Sequence, residues 1–354
     1  MKLLRQYLTT TVLMSTALVM LVLLALAGFI EFIAQLDDTG TGSYTAFGAF
    51  VYTSLRLPLL AVEMLPVATL LGALLGLGAL AASSELVAMR AAGISAFRLA
   101  RNVALSGVIL ALAGIVLGEF MAPPMDQFAR KYRSAARNQA DLSGEQNTWV
   151  RDGKRIFNVA GSEEQLAFGG IYLFELSDAQ RLDSVAYAGR ADLGEGRRWR
   201  LQNFRQTRFA ERDVYAEQLP QTTRQYNVDA ELLGIAALRP GSLSFRGLIA
   251  YLDYLKTNQL DSRAYETELW SRVSDVLATL LMPLLAIGFV FGSLRSAGAG
   301  ARLLLGVLIG LAFFLASRTL ANSSQVFGLE SMVVGLIPVA VLALATMIAI
   351  QRVR

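Results

Sequence analysis

The chain contains no cysteine and no histidine among its 354 residues. Disulfide bonds, thiolate nucleophiles, Cys/His zinc sites and histidine-based triads are therefore excluded, and no metal site is expected. Catalysis would fall to carboxylates, lysine, serine or tyrosine alone. Charge is scarce as well: 17% of residues are Asp, Glu, Lys or Arg, against roughly 25% in ordinary soluble domains. Those that occur concentrate in the middle third and leave the ends nearly bare. A phosphate-binding loop is also missing, because the one Gly-Lys pair, Gly153-Lys154, has Thr148 where the first loop glycine belongs. Any uphill work must draw its energy from a partner.

What abounds is apolar surface. Hydrophobic residues make up 54% of the chain and the mean hydropathy is +0.47. A spanning helix needs about 20 apolar residues at 1.5 Å rise each. Six segments qualify, near 9–35, 58–81, 99–121, 272–294, 302–322 and 331–351. The first apolar stretch continues past Ala25-Leu26-Ala27 through Phe29, Ile30 and Ile33, longer than a cleavable leader, so it is expected to remain as a span. Lys2, Arg5, Arg90, Arg98, Arg101, Arg295, Arg302, Arg352 and Arg354 fall on one side, with Glu85 as the acid there. Asp37, Asp38 and Glu330 fall on the other, with Arg56 as its base. The positive-inside rule then predicts cytoplasmic termini and an outward-facing insert between spans three and four.

That insert reads as β structure. Short alternating runs at 148–150, 155–159, 170–176, 184–187, 198–201 and 214–219 are separated by Asp152-Gly153, Ser177-Asp178 and Gly194-Glu195-Gly196. Strands at this spacing predict a sandwich or jelly roll. Its acids and bases are roughly balanced, so it is not a nucleic-acid surface. A helix follows, with Leu248, Leu252 and Leu255 on one face. The expected organisation is spans one to three at 1–135, a β-jelly-roll at 136–240, then the linking helix and spans four to six at 241–354.

Two short patterns carry mechanical meaning. Gly72-Ala73-Leu74-Leu75-Gly76 in span two clears one helix face for close packing, within the bundle or against a moving subunit. Residues 83–95 can form a short cytoplasmic helix capped by Ser83 or Ser84, bearing Glu85 and ended by Gly93. With Leu86 and Met89 on one side, it suits either a groove on a cytosolic partner or the lipid surface.

The run Leu71–Gly78 followed by Glu85-Leu86-Val87-Ala88-Met89-Arg90-Ala91-Ala92-Gly93 resembles the lipopolysaccharide-export permease family LptF/LptG. So do Met121-Ala122-Pro123, Ala129-Arg130-Lys131-Tyr132-Arg133, Trp149-Val150-Arg151-Asp152-Gly153, Leu269-Trp270-Ser271-Arg272 and Phe291-Gly292-Ser293-Leu294-Arg295-Ser296. Gly42-Ser43-Tyr44 with Tyr52-Thr53 is similar to the LptG type. The resemblance covers nearly the whole chain and is thin inside the β insert. It implies a multi-pass α-helical inner-membrane protein with six spans and a periplasmic β-jelly-roll between the third and fourth. It also implies an LptF-type permease as partner, an LptB ATPase dimer beneath, and the LptC membrane protein beside them. ATP would be used by the partner, with no cofactor on this chain. The 83–95 segment resembles the family's coupling helix, which assigns ATPase contact to Glu85, Leu86, Met89 and Arg90.

Arg130, Arg133 and Arg137 fall at i, i+3 and i+7 beyond span three, with Lys131 beside them. Such forks suit phosphates, and equally they suit head-group anchoring or a solvated face. The resemblance favours phosphate, because the family uses bases here for the lipid A head group. Glu31, Glu63, Glu119 and Arg318 stand near span ends, where they either snorkel or pair internally, or form the polar wall of an amphiphile cavity. Inward residues among Ile156, Phe157, Ile171, Leu173 and Phe174 are expected to line a lipid path or an ordinary core. One departure stands out: relatives carry lysines near the end of span one, whereas this chain has Glu31, Asp37 and Asp38. Acids do not bind phosphates directly, although they can hold a bridging cation. The expected function is a permease subunit that extracts lipopolysaccharide and passes it to a periplasmic bridge. The alternatives are a mechanotransmitting permease of another ATP-driven complex and a membrane enzyme built on carboxylates such as Asp152 or Glu217.

Overall fold

A computed structural model describes residues 2–138, 147–160, 167–177, 181–194, 198–210, 213–226, 240–291, 298–327 and 329–351. Asp178, Glu195, Gly196, Arg295, Arg352, Arg354 and the motif residues 292–296 lie outside them. Two compact units emerge, one of residues 1–137 with 263–354 and one of residues 138–262.

The first unit is helical. Its elements are α1 (Lys2–Leu36), α2 (Ala46–Ala82), the short α3 (Glu85–Ala91) and α4 (Ala96–Val116). A π-helical turn, Leu117–Met121, joins α4 to α5 (Ala122–Asn138). After the insert come α7 (Arg263–Phe291), α8 (Ala299–Phe327) and α9 (Ser331–Gln351), with α6 (Phe245–Thr257) belonging to the other unit. Six helices are long and apolar enough to cross a membrane, and they contain the six expected segments in the described residues. Several run well past the apolar stretch. The 35 and 37 residues of α1 and α2 correspond to about 50–55 Å, against a hydrocarbon core of about 30 Å. Their polar ends therefore stand beyond the apolar slab and carry the charges discussed below.

Helix α2 is the hub. Leu70, Leu74 and Leu77 of α2 share one core cluster with Leu8 and Val12 of α1, Leu99 and Val103 of α4, Met282 and Leu285 of α7, and Val339 and Leu342 of α9. Two of its glycines, Gly72 and Gly76, face α1. A Cβ at Gly72 would stand 2.4 Å from Thr16 Cα, and one at Gly76 would stand 2.8 Å from Ser15 Oγ. The G-x-x-x-G face is thus consumed within the bundle. By contrast, α1 and α8 present long exposed apolar faces, including Leu18, Leu21, Phe29, Leu304, Leu308 and Leu315. That distribution suits hydrocarbon or another membrane helix rather than water.

The second unit holds a six-stranded antiparallel sheet, a jelly-roll-like insert between the third and fourth spans. Its strands are β1 (Asn147–Asp152), β2 (Arg155–Ala160), β3 (Ala167–Leu176), β4 (Leu182–Gly194), β5 (Arg198–Phe209) and β6 (Val214–Gln225), paired in sequence order. One register row reads Val150, Phe157, Leu173, Ala186. These side chains, with Val159, Ile171, Ala188, Trp199, Leu201, Phe204 and Tyr226, form the buried face. Helix α6 (Phe245–Thr257) packs with this unit. Its Tyr254 hydroxyl accepts from Arg151 N at 2.9 Å and donates to Arg151 O at 2.6 Å. Asn258 Oδ1 accepts from Gly153 N at 2.9 Å. The free edge of β1 is therefore capped by side chains, which protects it from pairing with another strand.

Candidate functional site

Three polar constellations stand out. The largest gathers the end of α1, the 37–45 turn, the start of α2, and α5. The turn itself is pinned to α5: Ser43 N donates to Ala136 O at 2.8 Å and Ser43 Oγ to the same oxygen at 3.1 Å. Gly42 takes φ +61, and a Cβ there would fall 2.5 Å from Ala136 O, so only glycine fits. This docking carries Asp38 to the α5 bases.

Arg130, Arg133 and Arg137 do gather as their spacing predicts, and each is held by a carboxylate of this chain. Arg130 Nε donates to Asp126 Oδ2 at 2.8 Å, and Arg137 Nη1 pairs with Asp38 Oδ1 at 3.1 Å. Arg133 is bonded to Asp38 through Nη2. Asp126, fully buried, also accepts from Arg56 Nε at 3.1 Å, and Arg56 in turn pairs with Glu31. The ring of Tyr52 lies under two guanidinium groups, 5.6 Å from Arg56 Cζ and 5.4 Å from Arg133 Cζ. Lys131 points away and is exposed, near Phe128 one turn back, which is 59% exposed.

Sequence reasoning missed Tyr52, Arg56 and Asp126 as members. The Asp126/Arg130 spacing of four was the one local signal. Glu31 belongs here as the partner of Arg56. Glu119 instead sits in the π-helical turn, a motif enriched at functional sites.

The second constellation joins α2, α7 and α8. Arg318 Nη2 meets Glu63 Oε2 at 2.8 Å, and Arg272 Nε meets Glu268 Oε1 at 2.9 Å. Asp275 lies within electrostatic reach of Arg318. Internal pairing of Glu63 with Arg318 lowers the cost of keeping either near a membrane.

The third constellation is α3. Neither serine caps it through a side chain, because Ser84 occupies the left-handed region at φ +63. Instead, Glu85 Oε1 accepts from the Ser83 hydroxyl at 2.9 Å and Oε2 from Tyr7 at 2.8 Å. Gly93, at φ +84, closes the helix with Ile94 N bonding back to Met89 O at 3.2 Å, a Schellman ending. Leu86 is corrected as an outward anchor: it is 2% exposed and belongs to the bundle core, with Met89 packed against that core. The exposed apolar residue is Val87, a hundred degrees round the helix, while Arg90 reaches over Phe291 at 5.6 Å.

Alternation sorts the five sheet residues. Phe157, Ile171 and Leu173 are buried on the inner face, Phe157 stacking on Trp199 at 5.8 Å and meeting Tyr226 edge-on at 5.0 Å. Ile156 and Phe174 are not among the inward residues, which corrects their place on the expected lipid path. They pair with each other one step out of phase, and Phe174 stacks on Trp149 at 5.8 Å on the opposite face. Burial raises the Glu175 carboxyl, but the Ser184 hydroxyl and Arg155 guanidinium more than offset it and hold it below its usual range. Asp152 and Glu217 occupy opposite edge strands, β1 and β6, and so form no carboxylate pair.

Residues 6–352 match the family model described as lipopolysaccharide export system permease LptF/LptG. The chain is 34% identical over 353 residues to lipopolysaccharide export system permease protein LptG of Escherichia coli K12, covering 98% of this chain and 97% of that relative. It is 30% identical over 335 residues to the protein of the same name from Haemophilus influenzae, covering 94% of each.

Proposed function

The chain belongs to the LptF/LptG family of lipopolysaccharide export permeases, and from that premise we propose how its parts serve export. It is a multi-pass inner-membrane transport subunit of the LptG type rather than an enzyme. In our reading it pairs with an LptF-type permease, and an LptB ATPase dimer seats α3 from the cytoplasm. LptC supplies a further periplasmic jelly roll. The termini are cytoplasmic and the sheet domain periplasmic, in keeping with the arginines that flank the inner ends of the spans.

The substrate site in this reading is the Arg130, Arg133 and Arg137 array with Lys131, at the outer ends of the helices. One observation carries it: three guanidinium forks gathered on one side of α5 within two helical turns, two of them converging on Asp38. Planar forks match phosphate oxygens in pairs, whereas an ammonium offers a point charge. Arg133→Glu should abolish lipopolysaccharide release from reconstituted vesicles, and Arg133→Lys should weaken it, with basal ATP hydrolysis preserved in both. Wild-type release by Arg133→Lys, with Arg133→Glu losing expression alone, would make the cluster a membrane anchor. The partner assignments are checked by composition: a second six-span permease and an ATPase should co-purify with the detergent-solubilised chain.

A further inference from the structure

Two carboxylates hold the α5 bases, and they are physically unlike. Asp126 is fully buried, uses one oxygen for Arg130 and the other for Arg56, and sits on α5 itself. Releasing it would strand two guanidinium groups around a charge cut off from water, so it is a fixed part of the fold. Asp38 stands on the 37–45 turn with its side chain 23% exposed, and it divides itself between Arg133 and Arg137. Water can receive its carboxylate as soon as another anion takes over the arginines.

The grip of Asp38 is also incomplete. Arg133 gives it Nη2 and Arg137 gives it Nη1, while Arg133 Nε is buried without a hydrogen-bond partner. One negative charge thus faces two positive ones, with Lys131 on the same helix, and the Nε donor of Arg133 remains unmatched. We propose that Asp38 is an exchangeable counter-carboxylate that occupies the Arg133 and Arg137 forks in the empty state and yields them to a phosphate of the substrate lipid. This rests on the reading of the α5 array as the phosphate site.

Such exchange confers selectivity. Without a ligand, Asp38 relieves the repulsion among the α5 bases. A phosphate monoester brings a charge of −1.5 to −2 and three terminal oxygens, so it satisfies donors that Asp38 leaves open. A carboxylate or a zwitterionic head group offers no more than Asp38 already supplies and gains nothing by replacing it. A phosphodiester with one charge and two free oxygens falls between. Asp38 therefore raises the threshold against the bulk phospholipids that surround the site and lets phosphate-rich lipid through.

The test uses the full permease complex in nanodiscs of phosphatidylethanolamine, titrated with lipopolysaccharide, with phosphatidylglycerol as competitor. If the forks are free of Asp38 about one tenth of the time, Asp38→Asn should lower the half-saturating concentration about tenfold. Phosphatidylglycerol should compete with that variant far better than with the wild type, and Asp38→Glu should resemble the wild type. Unchanged or weaker lipopolysaccharide binding by Asp38→Asn overturns the proposal. Weaker binding that EDTA reproduces in the wild type would assign Asp38 to a bridging cation instead. If Asp38→Asn cannot be recovered folded, carbodiimide labelling of the wild type decides: Asp38 must become several-fold more reactive when lipopolysaccharide binds, while Asp126 stays unreactive. An unchanged or reduced Asp38 signal overturns the exchange. Wild-type binding by an Arg133→Ala/Arg137→Ala double variant would sink the phosphate site itself, a failure distinct from loss of the exchange alone.

Discussion

Gly72→Ala tests whether the close seam between α1 and α2 is the frame of the molecule. The added Cβ would stand 2.4 Å from both Cα and Oγ1 of Thr16 and 2.5 Å from its N, whereas ordinary contact begins at 3.4 Å. The difference, 3.4 − 2.4, is an opening of 1.0 Å. The obstacle is backbone, so rotating a side chain cannot supply it. Gaps of about 0.5–1 Å forfeit a quarter to a half of each dispersion contact along the seam, and overpacking costs typically about 1–3 kcal/mol. Against this, Ala gains up to about 1 kcal/mol over Gly in helix propensity. A net loss of about 1–2 kcal/mol is expected, read from SDS-induced unfolding in mixed micelles. Gly118→Ala is the control, because its nearest neighbour would be Val62 Cγ1 at 3.6 Å, an ordinary contact, and it should be near neutral. If Gly72→Ala unfolds like the wild type while its assembly with a second permease fails, the face belongs to that partner and the internal seam is wrong.

Both oxygens of Glu85 are engaged inside the chain, so Tyr7→Phe should loosen α3 and lower lipopolysaccharide-stimulated ATP hydrolysis several-fold without reducing insertion. On the proposed seating of α3, Glu85→Arg should uncouple or detach the ATPase, and normal complex yield with normal lipid-stimulated transport in that variant would remove α3 from the coupling. Photo-crosslinkers at Phe157 and Phe174 probe opposite faces of the sheet, so a lipid carried on the inner face should be captured at Phe157 under ATP hydrolysis and not at Phe174. Equal capture at both positions would argue for surface adsorption. For Glu175, the folded carboxyl is held below its usual range, so its stabilising contribution is complete above the unfolded value and is lost as pH falls through the folded one. Glu175→Gln should therefore lose less stability than the wild type between about pH 5 and pH 3, followed by near-UV dichroism around the buried Trp199; equal slopes would refute it.

The membrane layout was legible because each span is specified by its own apolar run, which needs no knowledge of neighbours. Strand positions were legible for the same local reason, since alternation and turn residues such as Gly153 at φ +61 act over a few positions. The facing of individual residues was less so. Ile156 and Phe157 are both large and apolar, and which one turns inward depends on the row set by Val150 and Leu173 across two strand pairs. Leu86 reads as half of an amphipathic stripe, but that stripe carries no label for its partner. Only the positions of Leu8, Leu77 and Leu99 in the same core determine that it turns to its own bundle.

The charge pairing hid for a different reason. Asp38 and Arg133 are 95 positions apart, as Arg56 and Asp126 are 70 apart, and single-chain charge patterns carry no such distances. What made the pairs possible is readable afterwards in small residues: Gly42 lets the 37–45 turn lie against Ala136, and Gly72 and Gly76 bring α1 onto α2. The same seam has consequences at both ends. Tyr7 at one end of α1 holds Glu85, while Glu31 near the other pairs with Arg56, and α2 runs alongside from Arg56 to the start of α3. Two helices packed at backbone contact have little room to slide, so a shift of α3 on one side of the membrane must either displace the arginine array on the other or break the Thr16 and Ser15 contacts. A displacement of α3 can therefore reach the arginine array at the far ends of α1 and α2 through covalent helices, with side chains setting only the terminal grips.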